Sequence, residues 1–316
     1  MLALCRDCEY VKSNVDMHPH SRGSAMATSS RRRFLKTTAA AIGAAAIPAL
    51  SQGGEPRQPD KDPFGGFTVG IQSYSYRQFN LEKALGEIQN LGLRYVELYR
   101  GHVPTTANDA QMKAVRGLLE KHRITPIAFG VESFTKDHAA NRRLFEFGRR
   151  LGVRYLSADP SPDSFDSLDK LVAEFNIGIA IHPHGPTGKQ LHRWYSAEEI
   201  MKAVGNRHRL VGSCLDTGHL IRSAQDPFNR KLDPAQQVRH MGARNFGMHL
   251  KDHDNKTRTD VVYGRGVLNV GSVLRALREV KFAGYIAIEY EANPANPTAD
   301  IRACLDVFRD TVRKLS

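Results

Sequence analysis

The chain has 316 residues, 45 Lys and Arg against 33 Asp and Glu, 41% hydrophobic residues and four cysteines. That length buries a full core in one large or two small domains. The apolar and charged fractions exclude bulk disorder, and four cysteines are too sparse for a disulfide scaffold. No apolar run reaches the roughly 18 residues of a membrane span, which argues against an integral membrane protein.

In chain order, the first feature is Ser30-Arg31-Arg32-Arg33-Phe34-Leu35-Lys36, followed by an Ala-rich apolar run from Thr37 to Leu50. Positive charge, a short apolar stretch and small residues make the three-part layout of an export signal. The S-R-R-x-F-L-K string resembles a twin-arginine signal, an address read by a receptor. An amphipathic helix does not fit the run, because Thr37–Leu50 has no polar face and Pro48 would break it. Met26 lies just upstream of the arginines and is an alternative start. Cys5 and Cys8, with His18 and His20 nearby, precede the signal and have no second Cys pair, so a metal or redox reading is set aside. The expected organisation is an export region over 1–51, a Gly- and Pro-rich linker over 52–66, and one domain over 67–316. Removing 1–51 takes away seven Lys and Arg and three Asp and Glu, leaving 38 against 30, a net +8. No dense basic run accompanies that excess, so nucleic acid is not the expected partner. Cys214 and Cys304 are expected to be free, buried thiols.

From Phe67 onward, β-rich runs alternate with helical patterns. The expected strands are Phe67–Ser73, Arg94–Tyr99, Ile124–Gly130, Val153–Ala158, Ile177–Ile181, Leu210–Leu215, Asn245–Leu250 and Tyr285–Tyr290. Leu81–Leu91 and Val270–Val280 read as amphipathic helices, and Asp300–Leu315 as the last helix. Eight β/α units in about 250 residues predict an α/β fold, a (β/α)8 TIM barrel of parallel strands. A doubly wound sheet is the alternative, but no G-x-G-x-x-G follows a strand, and Gly264-Arg265-Gly266 falls in a long loop after strand seven.

Barrel active sites lie at the C-terminal ends of the strands. Strands five to eight end in or run into His182, Asp216, His249 and Glu289, spaced by 34, 33 and 40 residues, about one β/α unit each. Imidazole and carboxylate donors in register suit a divalent metal such as Zn²⁺ or Mn²⁺. His122, His138, His192, His208 and His240 read as solvated. Glu97 reads as an inward carboxylate that binds substrate or holds a Lys or Arg. Tyr74, Tyr76, Phe134 and Trp194 read as loop aromatics able to stack on a sugar ring.

These strand ends resemble the xylose-isomerase-like TIM barrels, in particular the sugar phosphate isomerase/epimerase group, over roughly Phe67 to Leu315. The carriers are Val96-Glu97-Leu98, Ile179–Gly185, Leu215-Asp216-Thr217-Gly218-His219, His249-Leu250-Lys251-Asp252, Gly264-Arg265-Gly266 and Tyr285–Tyr290. The resemblance implies one divalent ion, Mn²⁺ or Zn²⁺ ahead of Mg²⁺ or Co²⁺, held after strands five to eight. Asp216, His249 and Glu289 match three of the family's ligands, while His182 stands where the family more often has Glu, and His184 matches the family's second-position His. Family epimerases move a proton with two carboxylates on opposite faces of the substrate. A coordinated His182 is a poorer base than the Glu it replaces.

The expected function is therefore an exported, metal-dependent sugar isomerase or epimerase, with Glu289 as base and His184, His219 or Lys251 managing the second proton. The alternatives are a lyase acting on keto-sugars or oxidised glycosides, a non-catalytic sugar-binding barrel, and an AP-endonuclease-like phosphodiesterase. The expected partner is a small sugar or keto-sugar, with no stable membrane association after cleavage and room for an oligomer. The expected location is the periplasm or beyond, by the twin-arginine route.

Overall fold

The structure, a computed structural model, describes residues 62–315. The twin-arginine segment, Cys5, Cys8, His18, His20 and residues 52–61 of the expected linker lie outside the described residues. Seven strands come first: β1 (Thr68–Gln72), β2 (Tyr95–Leu98), β3 (Thr125–Phe134), β4 (Tyr155–Pro160), β5 (Gly178–Ile181), β6 (Val211–Asp216) and β7 (Asn245–Leu250). A short ribbon, β8 (Asp252–Asp254) and β9 (Thr259–Val261), precedes β10 (Tyr285–Ile288). The seven strands and β10 close into one parallel barrel, in the order β1, β10, β7, β6, β5, β4, β3, β2 and back to β1. This is the TIM barrel that the alternating pattern predicts, in a single domain.

Helices α1 (Leu81–Asn90), α2 (Asp109–Lys121), α3 (His138–Leu151), α4 (Phe165–Phe175), α5 (Ala197–Val204), α6 (Thr217–Arg222), α7 (Pro234–Met241), α8 (Val270–Glu279) and α9 (Thr298–Leu315) follow the strands. Their starts are written locally. Asn80 caps α1, and Asn108 with Gln111 makes a capping box on α2. Each helix lays an apolar stripe on the sheet; in α8 it is Val270, Val273, Leu274, Ala276 and Leu277. Burying each of the valines and leucines stabilises the fold by about 1.5–3 kcal/mol, so the layer between strands and helices supplies most of the core.

Inside the barrel the side chains are smaller. Ala128, Ala180, Cys214 and Ala287 pack with Ile127 and Tyr285. Side chains alternate along a strand, so the residue two positions further on faces inward one layer higher. Ala180, Cys214, Gly247 and Ala287 therefore lie beneath His182, Asp216, His249 and Glu289.

Some of these expectations need correction. β3 continues past Gly130 to Phe134, with a shift in its pairing to β4 between Phe129 and Glu132. Tyr76, Phe134 and Trp194 are core residues at 0%, 1% and 5% exposure, because their rings pack under the loops. Of the four aromatics, Tyr74 alone faces the cavity described below. The long loop after β7 is partly the β8–β9 ribbon. Cys214 and Cys304 are free and buried, as expected.

Candidate active site

Four donor atoms converge where β5, β6, β7 and β10 end. His182 Nε2 lies 3.0 Å from His249 Nδ1 and 3.5 Å from Asp216 Oδ2. His249 Nδ1 lies 3.2 Å from Glu289 Oε2 and 3.8 Å from Asp216 Oδ2. All four residues are buried, and their donor atoms fall within 4.8 Å of one another. Two nitrogens and two carboxylate oxygens placed tetrahedrally about 2.0–2.2 Å from a common centre would be separated by about 3.3–3.6 Å, which the distances above bracket, so the set fits a zinc-like ion. Asp216 Oδ2 is the telling atom: it is buried and lies in the field of Lys251 Nζ at 3.3 Å, but it accepts no hydrogen bond.

Local sequence explains how each donor is held. Asp216 ends β6 and caps α6: its Oδ1 accepts the His219 N–H at 2.7 Å, which leaves Oδ2 for the site. Thr217 Oγ1 accepts the Lys251 N–H at 2.8 Å and donates to the Lys251 carbonyl at 2.7 Å, tying α6 to the end of β7. Gly218 leaves the Lys251 stem its path, since a Cβ there would stand 2.6 Å from Lys251 Cδ. In the following loop, Asp252 Oδ2 accepts the Gly264 and Gly266 N–H groups at 2.9 and 3.0 Å, and Oδ1 the Leu268 N–H at 2.9 Å. The Gly264-Arg265-Gly266 segment is wound on a carboxylate.

His249 is fixed from behind. Its Nε2 lies 2.8 Å from Glu97 Oε2, which also accepts the Tyr285 hydroxyl at 2.7 Å. Glu97 therefore holds a histidine, where the sequence allowed substrate or a Lys or Arg. The partner arrives across the barrel, 152 residues away, and nothing in the Val96-Glu97-Leu98 string marks it. A ring nitrogen bound to Glu97 is unavailable to a metal, so the overlapping group of Glu97, Cys214 and His249 is second in line to the four-donor set.

The other predicted residues surround this floor. Lys251 Nζ is buried, 2.8 Å from Glu289 Oε2 and 3.3 Å from Asp216 Oδ2, and also pairs with Glu291. His219 accepts the Gly185 N–H at Nδ1 (2.9 Å), which places its ring proton on Nε2. That tautomer also weighs against His219 as a ligand in the group it forms with His182 and His184. His184 lies with its ring 5.0 Å from His182 and 5.1 Å from His219. His192, expected to be solvated, joins this row: its ring is 4.8 Å from His184, and its Nε2 is 3.5 Å from Asp159. His138 and His240 are exposed, as expected.

The charges follow from these contacts. Burial opposes ionisation of Glu289, but Lys251 and His249 outweigh it and lower the carboxyl to about 2. Asp216 is likewise held well below the usual range, with burial overcome chiefly by the Lys251 ammonium. Lys251 is raised well above its ordinary value, because Asp216, Glu289 and Glu291 outweigh burial. Burial, with His182 and His192 beside it, lowers His184 to about 3. Burial also keeps His219 far below the usual range. Burial works against a charge on His249, but Cys214, Glu97 and Glu289 outweigh it, and its value is raised. In the metal-free chain, His249 thus carries a proton on Nδ1, the atom that faces the other donors.

Above the floor opens a cavity of about 430 Å³, within the range of small-molecule sites. It is lined by His182, His184, His219 and Glu289 below and by Tyr74, Tyr99 and Arg100 above.

The family profile of the xylose isomerase-like TIM barrel matches residues 85–311, and the chain belongs to that family. It is similar to the inosose dehydratase of Geobacillus thermodenitrificans, 28% identical over 151 residues, which cover 42% of this chain and 47% of that one. The match thus spans about half the length of that relative. Among solved structures, a protein of Parabacteroides distasonis ATCC 8503 superposes with a TM-score of 0.59 at 27% identity, over 79% of this chain and 99% of that one. The D-psicose 3-epimerase of Clostridium cellulolyticum H10 shares the fold with a TM-score of 0.61 at 16% identity, over 78% and 99%.

Proposed function

We propose that the chain is an exported, divalent-metal-dependent enzyme that moves a proton from the carbon beside a keto-sugar carbonyl. The convergence of His182, Asp216, His249 and Glu289 on one buried point carries this reading. A divalent ion held there would polarise the carbonyl and its neighbouring hydroxyl. The mixed nitrogen and oxygen set favours Zn²⁺ or Mn²⁺.

Around that point the chain supplies a base and donors. Glu289 lines the cavity as a carboxylate and takes the carbon-bound proton. His219 presents Nε2–H to a substrate oxygen, because Gly185 occupies its other nitrogen. Neutral His184 stands beside it as the second proton carrier. Lys251 stays an ammonium among its three carboxylates and acts as fixed charge.

The product depends on the step after proton removal. Return of the proton gives an isomerase or epimerase, the default reading. Loss of a β-substituent gives a lyase. Two observations favour the lyase as second reading: a histidine, His182, stands just after β5 where two-sided epimerisation calls for a second carboxylate, and the similar curated proteins are named as dehydratases. The test is elemental analysis of the full chain, followed by incubation with keto-sugars in deuterium oxide. About one ion per chain with deuterium at the carbon beside the carbonyl supports proton transfer, and a new enone absorbance selects the lyase. No metal after reconstitution would leave a sugar-binding barrel.

Export rests on the Arg31-Arg32 segment. Replacing both arginines by lysine is expected to retain the chain in the cytoplasm, as read by fractionation.

A further inference from the structure

The cavity above the four donors is short of available positive charge. Its lining holds two carboxylates, Glu289 and Glu291, and one guanidinium, that of Arg100. Arg100 is already committed. Its Nε donates to Glu132 Oε1 at 3.0 Å and its Nη2 to Glu132 Oε2, a two-pronged pair. The two partners differ sharply in exposure: the Arg100 side chain is 63% exposed and that of Glu132 only 1%. An exposed arginine by itself detaches cheaply. Detaching this one would leave a carboxylate buried in the barrel wall without a counter-charge, which is strongly unfavourable.

Lys251 and Arg222 are paired with carboxylates as well, whereas Arg77 has no carboxylate partner among the described residues. Lys251 pairs with Asp216, Glu289 and Glu291. Arg222 Nη2 donates to Asp260 at 2.7 Å. Arg77 lies outside the lining; it donates to the Glu291 carbonyl at 2.6 Å and covers the Tyr74 ring at 4.8 Å. Among the described residues, the lining therefore holds two carboxylates, both sharing the ammonium of Lys251, and no guanidinium or ammonium without a carboxylate partner.

We propose that the cavity takes an uncharged keto-sugar and rejects the corresponding phosphate ester, and that Glu132 sets this preference by neutralising Arg100. The inference rests on the keto-sugar reading above and adds the charge of the substrate. Within the lining, a phosphate dianion would meet an Arg100 already held by Glu132, or the Glu291 carboxylate. An uncharged ring meets neither penalty. Tyr74 is 37% exposed there and stands edge-on to Tyr99 at 5.3 Å, which offers a ring face to sugar C–H groups.

The test is calorimetric binding of D-fructose and D-fructose 6-phosphate to the metal-loaded full chain and to its Glu132→Gln variant. The wild type is expected to bind fructose about tenfold or more tighter than the phosphate, a gap of one decade per ~1.4 kcal/mol. In Glu132→Gln, the phosphate is expected to gain about tenfold while fructose moves little. Should that variant not fold, competition by inorganic phosphate against fructose on the wild type decides: no competition at millimolar levels supports the proposal. Wild-type binding of the phosphate as tight as that of fructose overturns the charge preference alone. A metal-loaded chain that binds neither sugar overturns the keto-sugar reading and this inference with it.

Discussion

At the scale of single residues, the site depends on side chains that never meet a substrate. Glu97 holds His249 by Nε2, so that Nδ1 faces the other donors. Carboxylates placed behind a ligating histidine typically contribute 10–100-fold to metal affinity. Glu97→Gln is therefore expected to weaken Zn²⁺ binding by about that factor, measured by competition with a chelating dye. Unchanged affinity would mean that Glu97 has no part in orienting the ligand. Gly218 gives a second prediction. Alanine there pushes on the buried Lys251 stem, and overpacking of this kind costs about 1–3 kcal/mol, readable by urea denaturation. The sequence already displayed His182, Asp216, His249 and Glu289, because each stands at a strand end one β/α unit from the next. It did not display Glu97 as their support. That contact spans 152 residues across the barrel and leaves no local spacing to read.

At the scale of elements, the Asp216-Thr217-Gly218-His219 turn combines a helix cap with a site. One Asp216 oxygen caps α6 and the other faces the donors, so the two functions separate by substitution. Asn keeps a capping oxygen and loses the charge; Ala loses both. Asp216→Asn is expected to abolish tight metal binding while keeping nearly all the stability lost in Asp216→Ala, a difference of about 1 kcal/mol. Equal stability of the two variants would show that the cap contributes nothing. The loop after β7 is organised by Asp252 in the same spirit. Its carboxylate gathers the N–H groups of Gly264, Gly266 and Leu268, all carried by a segment without regular structure. The Gly-Arg-Gly string was legible as something other than a dinucleotide loop. The residue it wraps was not, because a carboxylate accepting distant amides has no period in the sequence.

At the scale of the whole molecule, the buried titrating groups set how stability follows pH. His184, at about 3, and His219 are held neutral in the folded chain, whereas in the unfolded chain they take a proton near pH 6.5. Their contribution is present above about pH 6.5 and is lost as pH falls from there toward their folded values. Asp216 and Glu289, lowered by their neighbours, act in the same direction but only below about pH 4.5. His249 is raised and has the opposite sign: its contribution is complete below about pH 6.5 and is lost as pH rises through its folded value. The metal-free chain is thus expected to lose melting temperature on acidification from about pH 6.5, well before the carboxylates titrate. A flat profile down to pH 5 would contradict it. Metal must displace the proton on His249 Nδ1, so affinity is expected to rise with pH and binding to release a proton. Calorimetry in two buffers of different ionisation enthalpy measures that proton directly.

The sequence by itself determined the barrel, because eight strands alternating with capped amphipathic helices are each written in local periodicity. It also determined which polar residues stand at the strand ends, and it displayed a histidine just after β5 where the family more often has Glu. Only the tertiary structure decided that Glu97 and Tyr285 stand behind His249, that Lys251 is locked among three carboxylates, and that Glu132 neutralises the one guanidinium in the cavity lining. Periodicity is a property of neighbours in the chain. Charge pairing and burial across a closed barrel depend on which strands become neighbours in space.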